Sequence, residues 1–186
     1  MSFQFREYIG EELQACGEEF RKQFINQEYE NNDRWTLEVF NWFTATKAGE
    51  GCVYPHIGRK GEFLVDYCHT SYPLKRADEG WPSIAWWKRA ISGQCGLLLA
   101  LESEWGKWGN RDLSHVMILD DACKLAAIRA RAKAMIFSSQ GGQDRGEILD
   151  LLASLRSASR DDSPWLWIDI PWEKVRPRNI GCGVLG

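Results

Sequence analysis

The stretch Leu97-Leu98-Leu99-Ala100-Leu101-Glu102-Ser103-Glu104-Trp105 decides how the chain is read, because an apolar run closes on carboxylates at i and i+2. Residues 96–101 have the make-up of a strand buried on both faces. A period of two then puts Glu102 and Glu104 on one face at its end, a few ångströms apart. Like charges held that close repel, so one carboxyl takes up a proton or a cation neutralises the pair. The plainer alternative is that the strand has ended and both side chains stand in water.

Working outward toward the C-terminus, 106–110 reads as a loop and about 111–131 as a long helix. Its apolar stripe is Leu113, Val116, Met117, Leu125 and Ile128, with Asp120, Asp121 and Lys124 in its middle. Residues 132–137 read as a short buried strand, 138–144 as a Gly-rich loop and 146–158 as an amphipathic helix. Pro164 introduces a last strand at 165–170, and Lys174, Arg176 and Arg178 make a basic tail.

Toward the N-terminus, a polar loop (71–80) and a Trp-rich segment opened by Pro82 lead back to a hairpin of strands at 52–57 and 62–69, joined by Gly58-Arg59-Lys60-Gly61. Asp66 lies in the middle of the second strand. Asp is among the poorest strand formers, so its presence there asks for a reason, although an Asp on a half-exposed strand face also satisfies the pattern. A capping residue in Asn32-Asp33-Arg34 starts a buried helix carrying Trp35, Leu37, Val39, Phe40, Trp42 and Phe43 and ending near Gly49. Glu38 interrupts that apolar set, either on a narrow polar face or aimed at something positive. Residues 8–30, with Leu13, Phe20, Phe24 and Ile25, read as one or two surface helices with a modest stripe.

The order helix, three strands, helix, strand, helix, strand predicts an α/β class with a mixed central sheet flanked by helices. A chain of 186 residues with 44% hydrophobic content suits one domain with a proper core. Its parts are an N-terminal helical extension (1–31), a core (33–137) and a C-terminal helix, strand and basic tail (138–186). A formal charge of −3 gives no basic footprint, so contact with phosphates needs a local patch or bound metal. Six cysteines without ligand spacing, and no signal peptide or long apolar segment, imply free thiols, no membrane partner and a cytoplasmic setting. The ten Trp read as core and lid packing, with a base-stacking surface as the alternative. P-loop, GxGxxG, HExxH and GxSxG motifs are absent, which leaves nucleotide binding unsupported. The three His (His56, His69, His115) are dispersed, and nothing marks a nucleophile.

What remains is Glu38 on a helix, Asp66 in a second strand, and Glu102 with Glu104 at the end of a third. In these residues the chain resembles the PD-(D/E)xK, or restriction-endonuclease-like, nuclease superfamily. Its core runs α-β-β-β-α-β, with a Glu on the first helix, an Asp on the second strand and (D/E)-x-K on the third. The resemblance covers about 33–137 and departs from the pattern twice. Glu104 stands where the family has Lys, and the connection from Asp66 to Glu102 is long and Trp-rich.

The resemblance implies a metal-dependent nuclease hydrolysing phosphodiester bonds in DNA, with Mg²⁺ or Mn²⁺ held by Asp66 and Glu102 and a second ion or outer-sphere water at Glu38. Glu104 would orient or deprotonate the attacking water. Lys124 would lean in from the following helix to supply the missing positive charge, or else form an i, i+3 surface pair with Asp121. Hard oxygen ligands on adjacent strand ends suit such ions on chemical grounds as well. The oligomeric state stays open, a homodimer being compatible. The rival reading is a non-catalytic interaction protein on a degenerate nuclease fold. A glycosidase ranks last, because i, i+2 carboxylates sit closer than the separation of roughly 5 Å or more that spans a scissile glycosidic bond.

Overall fold

The computed structural model describes residues 10–29, 31–47, 52–54, 65–70, 97–107, 109–159, 162–172 and 179–185. The expected turn at 58–61, the loop and Trp-rich segment between 71 and 96, Trp108 and the basic tail of Lys174, Arg176 and Arg178 lie outside the described residues. Helices α1 (Gly10–Phe24) and α2 (Asn32–Lys47) precede strands β1 (Cys52–Tyr54), β2 (Tyr67–Thr70) and β3 (Leu97–Glu104). Then come α3 (Arg111–Ala127), β4 (Ala130–Phe137), α4 (Gly142–Ala158), β5 (Trp165–Asp169) and β6 (Gly181–Leu185).

The strands form one mixed sheet in sequential order from β1 to β6. β1 to β3 pair antiparallel, β3, β4 and β5 run parallel through the α3 and α4 crossovers, and β6 returns antiparallel. This is the α/β class with helices on both sheet faces that the element order predicts. No helix among the described residues is long and apolar enough to cross a membrane.

The pleat of β3 divides the core. Leu99 and Leu101 pack on one side with Leu13 and Phe20 of α1 and Val39 and Phe43 of α2. Ala100 packs on the other with Ile118 and Leu125 of α3 and Ile148 and Leu152 of α4. From Leu99 onward alternation puts every second residue of β3 under α3, which is where Glu102 and Glu104 fall.

Several expectations need correction. α1 is no peripheral extension: Leu13, Cys16, Phe20 and Phe24 are all buried, and the helix covers the sheet at β5 and β6. Its weak stripe misled because an adjoining sheet face supplies most of the apolar partners. β3 does not end before Glu102 but runs through Glu104, since pairing with β4 continues as far as Glu104 opposite Phe137.

The buried positions of α3 are Ser114, Ile118, Ala122 and Leu125, whereas Leu113 and Val116 face outward, Val116 being 62% exposed. Ser114 is tolerated inside because its hydroxyl donates within a short polar set, 3.0 Å from the carbonyl oxygens of both Lys107 and Asn110.

β6 is a strand that its composition conceals. Its glycines make room for side chains packed on the strand: a Cβ at Gly183 would come within 2.8 Å of Trp167 Nε1, and one at Gly181 within 2.9 Å of Arg145 Cζ. Helix starts follow local rules. The Asn31 side chain accepts from Arg34 N–H at 2.9 Å, and the Asn110 side chain accepts from Leu113 N–H at 3.1 Å.

Candidate functional site

β3 is flanked by both β2 and β4 as far as Leu101, and pairing with β4 alone continues to Glu104. Glu102 lies just past the stretch that β2 flanks, with no exposure at all, directly opposite Met135. β2 begins only at Tyr67, opposite Leu101, so Asp66 is not mid-strand as expected but at a bend just before it. The bend suits an Asp, which satisfies backbone amides outside regular ladders. There the Asp66 carboxylate accepts from the backbone N–H of Ser103 at 3.0 Å and from its hydroxyl at 3.1 Å. A side chain thereby takes over the amide that a longer β2 would have paired, and the carboxylate is fixed beside Glu102.

α3 returns over the sheet antiparallel to β3 and brings Asp121 and Lys124 to the same place. Lys124 Nζ is 2.5 Å from Asp121 Oδ1 and 3.9 Å from Glu102 Oε1. Both roles considered for Lys124 therefore hold at once: it pairs with Asp121, and it also faces the strand carboxylate. Glu104 is half-buried next to them, and its Oε1 accepts from Gly106 N–H at 2.6 Å. Gly106 has φ +63 and so sits in the left-handed region, and a Cβ there would be 2.8 Å from Ser114 Oγ. Only glycine gives that turn, and the turn aims the amide at Glu104.

The electrostatics follow from crowding. Burial first, and then the charges of Asp66 and Asp121, push the Glu102 carboxyl up to about 9, with Lys124 opposing. Glu102 therefore carries a proton at neutral pH. Neither of its oxygens meets a well-aligned hydrogen-bond partner. Burial also raises Glu104, against the pull of the Gly106 amide, and raises Asp121, against its bond to Lys124.

The structure gathers Asp66, Glu102, Glu104 and Lys124 as expected and adds Asp121 and Ser103. Glu38 is not gathered with them. It lies on α2, which packs against the opposite sheet face, and forms an i, i+4 ion pair with Arg34 at 2.5 Å. The polar-face reading of Glu38 describes this placement, and Glu38 drops out of the ligand set. Asp121 carried one legible signal, its adjacency to buried Ala122 on an otherwise apolar helix face. Ser103 carried none, since its backbone amide does much of the work.

No group of three or more His, Cys, Asp or Glu among the described residues is placed to hold a metal ion. The donor chemistry nevertheless fits a small hard cation. Mg²⁺ keeps several waters and binds through one or two carboxylates together with substrate oxygens, so the adjacent Asp66 and Glu102 meet its needs. The orphaned, fully buried oxygens of Glu102 are what such an ion would satisfy.

A second polar cluster occupies the ends of β4 and β5. Asp169, fully buried, accepts from the Ser139 N–H at 2.8 Å, the Ser139 hydroxyl at 2.7 Å and Arg145 Nε at 2.5 Å. Asp144 accepts from Gln140 N–H at 2.6 Å and Arg111 Nε at 2.9 Å, and lies 2.7 Å from His115 Nε2. Arg111 reaches Glu147 as well. Compared with family models, with characterised proteins and with solved structures, the chain finds no match.

Proposed function

We propose that this protein is a metal-dependent nuclease of restriction-endonuclease-like type that hydrolyses phosphodiester bonds in DNA, with Mg²⁺ or Mn²⁺ held by Asp66 and Glu102. The observation that carries the proposal is Glu102, a carboxyl without exposure and with Lys124 no nearer than 3.9 Å, set beside the anchored Asp66 near a strand end. The run α2-β1-β2-β3-α3-β4 also follows the element order that the resemblance implies.

An ion bound there would neutralise the crowded carboxylates and acidify a nearby water. The protein's own groups supply the rest. Ser103 holds Asp66 through its amide and hydroxyl. Glu104, fixed at one oxygen by Gly106 and set beside Asp121, would take the proton of the attacking water. Lys124 presents an ammonium that stabilises charge developing on the phosphoryl oxygens.

One observation favours the non-catalytic reading as second choice: a proton on Glu102 together with Lys124 already offsets part of the cluster's negative charge. Titration with Mn²⁺ followed by the fluorescence of Trp105, alongside a plasmid cleavage assay, separates the two. Saturable quenching and metal-dependent cleavage, both lost in Glu102→Gln, are expected of the nuclease. No saturable response in the wild type would leave the binding module.

A further inference from the structure

We infer that Asp121 is a positioning residue of this site, whose carboxylate clamps Lys124 so that its ammonium stays over the Asp66 and Glu102 pair. The inference deepens the nuclease reading and rests on it for the reaction that Lys124 serves.

A lysine side chain has four rotatable carbons and ordinarily carries its ammonium out to water. Lys124, with its side chain 35% exposed, has that escape open to it. It is held instead by Asp121 at 2.5 Å, three residues earlier on the same helix, and it stops 3.9 Å from Glu102. Asp121 has a cost in this place. Its side chain is only 13% exposed, and its negative charge is repelled by that of Asp66. A pair that served only the helix would be placed on its outer face, where Asp120 and Cys123 are exposed.

The orphaned oxygens of Glu102 make the direction specific. Glu102 Oε1 lies 3.9 Å from the ammonium, and neither oxygen of that carboxyl has a well-aligned hydrogen-bond donor. The clamp fixes the lysine at that separation, beyond hydrogen-bond distance. That keeps one positive charge at hand without saturating Glu102.

The test uses the full chain and two readouts. In metal-free protein labelled at lysine Cε, NMR order parameters should show Lys124 ordered in the wild type and in Asp121→Glu. In Asp121→Asn it should approach the mobility of exposed Lys107. In cleavage of linear DNA with Mg²⁺, Asp121→Asn should lower kcat toward that of Lys124→Met, a fall of roughly 10-fold to 10²-fold, with KM little changed. The double variant should be no slower than Lys124→Met alone, because Asp121 acts only through the lysine.

Lys124 as mobile as Lys107 in the wild type, or unaltered order in Asp121→Asn, overturns the clamp. So does a double variant slowed by the product of the single effects. A wild type that orders Lys124 through Asp121 but cleaves no DNA keeps the clamp and sinks the nuclease reading instead.

Discussion

Two carboxyls lie at strand ends with no exposure, Glu102 on β3 and Asp169 on β5, and the fold treats them in opposite ways. Asp169 is saturated: Ser139 donates twice, Arg145 donates once, and Arg145 is itself held by the Asn179 carbonyl at 2.6 Å. Glu102 has no well-aligned donor, and its cation stands off at 3.9 Å. A buried charge that serves the fold is surrounded by donors, because leaving it unpaired costs more than the fold gains. A buried carboxyl left unpaired is a standing cost, and such costs collect where function needs a group free to react.

The largest effect should come from breaking the saturated partner. Arg145→Ala leaves Asp169 buried without its counter-ion and should cost about 3–5 kcal/mol, read by urea unfolding. Glu102→Gln replaces a protonated carboxyl by a neutral amide of the same shape, and should leave stability in metal-free buffer at neutral pH equal or higher. Equal losses in both variants would break the comparison.

Next in size is a pH effect. The folded state keeps the Glu102 proton up to about 9, whereas an unfolded Glu releases it near its ordinary value of 4.5. Between those values the native state binds more protons. The contribution is fully present below the lower value and is lost as pH rises through the upper one. Wild-type stability should therefore fall relative to Glu102→Gln by up to about 1.4 kcal/mol per pH unit across neutral pH, read from paired unfolding curves. A difference independent of pH would mean that Glu102 is already ionised in the native state.

Gly106→Ala sharpens the contrast from the side of Glu104. The left-handed backbone and the close approach of Ser114 should cost about 1–2 kcal/mol. The displaced amide should also weaken any Mn²⁺ response seen by fluorescence. Smallest of all, Arg34→Ala removes only the surface partner of Glu38. It should shift stability by about 0.3–0.5 kcal/mol or less and leave the metal response unaltered. A lost metal response there would return Glu38 to the site.

The elements around β3 were readable because their signals are local. Strand parity put Glu102 and Glu104 on one face, and a capping residue was legible at the start of α2, although the cap is Asn31 and not a residue of 32–34. Asp66 was legible as an anomaly, although its bend was not, since the bend depends on the Ser103 amide across the sheet. The stripe of α3 was misjudged where Ser114 is buried by virtue of partners from Lys107 and Asn110. β6 escaped notice because its glycines answer to Trp167, distant in sequence.

By itself, the amino-acid sequence determined the class of the fold, the crossover from β3 to β4, and the pair of carboxylates that closes the central strand. These depend on periodicity and on residues close together along the chain. Only the tertiary structure decided which charges meet. It sent Glu38 to the far face of the sheet and brought Asp121 and Lys124 over Glu102, and it surrounded Asp169 with donors while leaving Glu102 without one. Electrostatic fate is set by burial and by neighbours across the sheet, and neither is written in the order of residues along one strand.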